Sequence, residues 1–105
     1  MSSPAPALPL PDADGFDLRP DPMQAKTPAD LVRALRQYRL WAGEPPLRTI
    51  ARRAGTGTGA STICAALNAK TLPRLETVTA IIAGCGGSEE DQRRFITAWR
   101  AIRLR

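Results

Sequence analysis

The sequence predicts an all-α fold, five short helices behind an irregular N-terminal arm, on three observations. Apolar residues recur at helical spacing in five separate stretches and nowhere alternate with period two over a useful length. Glycine or proline marks the boundaries between those stretches. Proline itself is unevenly spread: six of the ten lie in residues 1–27, and only Pro28, Pro45, Pro46 and Pro73 in the remainder.

Residues 1–27 mix proline, small and acidic residues, with Leu8, Leu10, Phe16 and Leu18 too scattered to bury much surface. This composition predicts a disordered, acidic, Pro-rich arm, followed by a domain over 28–105. Thr27 opens the first helix with a capping signature: Thr27 as N-cap, Pro28 where its missing N–H costs nothing, and Asp30 three residues on. Leu31, Leu35, Tyr38 and Ala42 form one face of that helix, Arg33, Arg36 and Arg39 lie on another, and Gly43 stops it. The second helix starts at Pro46 or Leu47, repeats Leu47, Ile50, Ala51 and Ala54, and ends at Gly55. The Gly- and Thr-rich stretch 55–59 is a turn, and a third helix follows over about 60–68 with Ile63, Ala66 and Leu67 inward. Pro73 precedes a fourth helix, about 74–83, with Leu75, Val78, Ile81 and Ile82 inward until Gly84, Gly86 and Gly87 end it. Ser88 caps the fifth. Its first turn holds Glu89, Glu90 and Asp91 and its end Arg100 and Arg103, as the helix dipole favours, with Phe95, Trp99 and Ile102 as its buried stripe.

Composition removes several function classes. The chain of 105 residues has no His and two Cys, so it offers no Ser/His/Asp or Cys/His arrangement and no four-ligand zinc site. No catalytic residue, metal or cofactor is expected. Cys64 and Cys85 read as reduced structural thiols, with a disulfide as the alternative. No apolar run approaches the length of a membrane span, and the Pro-rich N-terminus lacks a signal-peptide core. A cytoplasmic protein without a membrane partner is therefore expected. Gly55-Thr-Gly57-Thr-Gly-Ala60 matches a dinucleotide fingerprint in letters, but helical spacing precedes it where a strand is required.

Charge is segregated. The arm carries a net −2, so with an overall charge of +5 the domain carries +7. A basic domain attracts polyanions. Ala51 and Gly55, four residues apart, suggest close approach of a second short helix anchored by Ile63 and Leu67, the arrangement of a helix-turn-helix.

These residues carry a family resemblance. Leu35-Arg-Gln-Tyr-Arg39 with Trp41-Ala-Gly43, the run Leu47 to Gly55, Ser61-Thr-Ile63 with Ala66-Leu67, Leu72-Pro73 with Leu75-Glu-Thr-Val78, Cys85-Gly-Gly87 and Phe95 with Trp99-Arg100 occur in order over 29–103. In this the chain resembles the Xre/Cro, or lambda-repressor-like, helix-turn-helix proteins, in a subgroup found in GC-rich Gram-positive bacteria. The resemblance implies a five-helix DNA-binding domain and a transcriptional regulator that inserts helix 3 into the major groove of double-stranded DNA. Seven residues separate Gly55 from Ile63 where the family pattern usually has five, and residues 54–69 carry no charge. Base contacts would then fall to Ala60, Ser61, Thr62, Ala65 and Asn68, with no Arg for guanine. Phosphate contacts are assigned to Arg48, Arg52, Lys70 and Arg74. A homodimer or a regulatory protein partner is compatible with this, and a protein-interaction module on a degenerate helix-turn-helix is the alternative.

Overall fold

The computed structural model describes residues 9–105. It contains five α-helices: α1 (Pro28–Trp41), α2 (Leu47–Ala54), α3 (Ala60–Leu67), α4 (Leu75–Gly84) and α5 (Glu89–Arg103). A short 3-10 turn, Pro22–Gln24, precedes them, and no strand occurs among the described residues.

Local signals set the helix ends. Thr27 accepts from the Asp30 amide at 3.1 Å, while the Asp30 carboxylate accepts from the Thr27 amide at 3.2 Å, closing a reciprocal capping box. Ser88 likewise caps α5 by accepting from the Asp91 amide at 3.1 Å. Gly55 ends α2 in the left-handed conformation, φ 65°. That conformation is its whole contribution, because a Cβ there would meet nothing within 4 Å.

The close helix approach expected of Ala51 and Gly55 occurs elsewhere. A Cβ on Gly84 would sit on the Ile50 carbonyl oxygen and 2.6 Å from the Ile50 side chain. Gly84 therefore belongs to α4, one residue beyond the expected end, and lets α4 lie directly against α2.

Helix α4 packs against each of the other four helices, which explains why its sequence is apolar on nearly every side. Leu31, Leu35 and Tyr38 from α1, Ile50 from α2, Ile63 and Leu67 from α3 and Phe95 and Ile102 from α5 close around Val78, Ile81 and Ile82. The Tyr38 and Phe95 rings meet edge to face at 5.5 Å.

Where the sequence leads to expectation of a free arm, residues 12–27 lie against the domain; the part of that expectation falling on residues 1–8 lies outside the described residues. Arg19 donates to Asp91 at 2.8 Å, Arg94 to Asp21 at 2.6 Å, and the Trp41 indole to Asp12 at 3.2 Å. Pro22 is buried. The centre of this contact is Asp91, 5 % exposed, which also accepts from the Tyr38 hydroxyl at 2.5 Å. Burial first, and then the Asp91 carboxylate, hold the Tyr38 hydroxyl protonated far above the usual tyrosine range. The sequence marks Asp91 only as a helix-dipole residue; its partners, exposed Arg19 and buried Tyr38, are 72 and 53 positions away.

Candidate nucleic-acid interface

Helix α2 turns Ile50 into the core and leaves Arg48, Arg52 and Arg53 exposed. The connection 55–59 then bends through left-handed Gly55 and Gly57, φ 83°, with the Thr56 hydroxyl donating to Thr58 at 3.1 Å. Helix α3 is anchored by Ile63, Ala66 and Leu67. Neither α2 nor α3 has a side-chain cap at its N-terminus, so the amides of each first turn are open to an acceptor from outside the domain.

Of the residues expected to face bases, Ser61, Thr62 and Ala65 are exposed on the outward side of α3, and Ala60 is half-buried. Asn68 differs. It is the C-cap rather than part of the helix, and its side-chain amide donates to the Cys64 carbonyl at 2.9 Å. This helix-closing bond takes one of the two amide hydrogens and sets the orientation that a bidentate contact with adenine would have to share. The expected third-helix range of 60–68 is shortened by that one residue.

Arginines flank α3 on both sides. Arg74, the N-cap residue of α4, shares a shallow groove with Thr62 and Ala65. On the other side Arg36 and Arg39 of α1 line a groove with Cys64 and Asn68. Arg36 donates to the Leu67 carbonyl at 2.9 Å and so closes the end of α3, and Arg39 donates to the Pro45 carbonyl at 2.9 Å. Arg48 and Arg52 are one turn apart on the exposed side of α2, and Lys70 is exposed just beyond α3. Among the described residues, none of Arg48, Arg52, Lys70 and Arg74 forms an ion pair. The approach of Arg36 and Arg39 to α3 has no local signature, since the bond that brings Arg36 there spans 31 positions.

Cys64 and Cys85 are both free thiols. Cys85 belongs to the core, and burial pushes its thiol up to about 11. Cys64 is exposed on α3, so the structural role expected for both holds only for Cys85. No helix among the described residues is long and apolar enough to cross a membrane. Compared with protein-family models, with curated proteins and with solved structures, the chain matches none.

Proposed function

We propose that this chain is a non-enzymatic, cytoplasmic DNA-binding regulator of lambda-repressor-like type, in which α3 enters the major groove and the cations around it grip the backbone. One observation carries the reading: residues 46–75, which build α2, the turn and α3, hold five cations and no carboxylate. An uncompensated basic surface around an exposed, uncharged helix suits phosphate gripping with modest base readout. Ser61 and Thr62 can hydrogen-bond bases or phosphates, Ala65 can meet a thymine methyl, and Arg48, Arg52, Lys70 and Arg74 supply phosphate contacts. Asn68, with one amide hydrogen committed to the α3 end, keeps its second N–H and its side-chain oxygen, so any base contact there has to fit the orientation that bond sets.

Binding of a labelled duplex at increasing salt tests this. Neutralising four to six phosphates predicts a log–log slope of roughly −4 to −5, at about 0.9 per contact. A slope near zero, or no binding at low salt, removes DNA from the reading. The second reading, a protein-docking helix, draws on the absence of any charge in residues 54–69. It predicts that Thr62→Ala and Ala65→Glu leave duplex affinity unchanged.

A further inference from the structure

Exposed apolar side chains gather on the side of the molecule where the arm crosses α1. Phe16 is 66 % exposed, Leu18 70 % and Leu40 58 %. The half-buried Trp41 joins them, walling both the cavity that contains Phe16 and the hollow between Leu18, Pro20 and Leu40. Leu40 also edges the groove between α1 and α3, where Leu47 and Leu67 continue the apolar lining. A continuous apolar strip thus runs from the arm, over α1, into that groove. Its three most exposed side chains present roughly 400 Å², the size of the largest apolar patch on a typical soluble monomer, which is often functional.

The strip has opposite charge at its two ends. At the arm end, Asp14 and Asp17 are exposed and form no ion pair among the described residues. At the groove end, Arg36 and Arg39 donate to the neutral carbonyls of Leu67 and Pro45, so their charges meet no carboxylate there. A surface that is acidic at one end, basic at the other and apolar between them is complementary to itself after half a turn.

We infer that this strip is where two copies of the chain pair about a twofold axis close to Leu18 and Leu40. Asp14 and Asp17 of each copy then face Arg36 and Arg39 of the other. The occupant is a second copy because the strip itself supplies the matching charges in the matching order; a partner of one charge sign would satisfy only one end. The apolar area falls below the roughly 800 Å² per partner of a standard interface, so the dimer is concentration-dependent rather than obligate. The inference requires no ligand on α3, and because Arg36 and Arg39 also flank that helix, pairing would cover the Cys64 and Asn68 side of it.

Sedimentation of the full chain across nanomolar to high-micromolar concentration tests it, with circular dichroism as the check on folding. The wild type is expected to pass from monomer to dimer. Leu18→Asp with Leu40→Asp, both at exposed positions, should keep the helical spectrum and weaken dimerisation by more than about a hundredfold. Asp14→Lys with Asp17→Lys should weaken it by about tenfold, and the wild-type dimer should loosen as salt rises. A monomer at every concentration overturns the inference. So does a dimer indifferent to the two leucine changes, which would place the contact elsewhere, such as the exposed Leu104 at the end of α5.

Discussion

The two sides of this domain use their charges in opposite ways. On the side formed by the arm and α5, Arg19 pairs with Asp91, Arg94 with Asp21 and Arg93 with Glu89. On the side formed by α2, α3 and the start of α4, Arg48, Arg52, Lys70 and Arg74 have no such partner among the described residues. Paired charges are spent within the fold, where the buried ones fix one segment against another. Unpaired charges contribute little to stability and remain available to a polyanion. The comparison therefore separates residues whose loss should damage the fold from residues whose loss should damage only binding.

The largest effect should come from the paired side. Asp91→Ala leaves the buried Tyr38 hydroxyl without its acceptor and frees Arg19, and we expect a loss of about 3 kcal/mol in chemical denaturation. Tyr38→Phe in the Asp91→Ala background should recover part of it, because no orphaned hydroxyl remains. If Asp91→Ala unfolds at the wild-type midpoint, the buried contact is not what joins arm to domain.

A smaller loss, about 2 kcal/mol, is expected from Gly84→Ala, whose methyl would overlap the Ile50 carbonyl and force α4 away from α2. Gly55→Ala should cost about 1 kcal/mol by a different route, backbone strain at positive φ with open space around it. A larger cost at Gly55 than at Gly84 would return the close helix approach to the α2–α3 turn.

Mild acid should act on the paired side alone, and weakly. The Met23 amide, ahead of the Arg94 guanidinium, holds the Asp21 carboxyl below the usual aspartate range, and the Lys26 amide does the same for Asp30. With folded values depressed, their contribution is present above the unfolded value near 4 and is lost as pH falls through the folded ones. The arm should thus become more sensitive to an acid-active protease below about pH 4. Unchanged cleavage of residues 12–27 across that range would mean that these carboxylates do not hold the arm.

What could be read from the chain beforehand follows the same division. Capping at Thr27 and Ser88, the left-handed stop at Gly55 and the inward stripes of all five helices are local, so residues a few positions apart determine them. The docking of residues 12–27 is not legible because Pro22 and Asp12 find their partners far along the chain, and a segment rich in proline and aspartate reads as disorder unless those partners are known. The orientation of Asn68 is hidden for a related reason: it stands one residue past α3, where its side-chain amide donates to the Cys64 carbonyl. The arginines of α1 reached α3 only through tertiary packing.

The central claim is that the unpaired cations around α3, rather than net positive charge or unpaired cations elsewhere, form the binding surface. Anisotropy of a labelled duplex measures it directly, using two variants of equal charge. One carries Arg52→Ala, Lys70→Ala and Arg74→Ala; the other carries Arg93→Ala, Arg100→Ala and Arg103→Ala on α5. The first should keep its thermal stability, bind duplex more weakly and lose about three units of salt slope, about one per cation, while the second should bind like the wild type. Equal weakening of both variants, or of neither, would contradict the account.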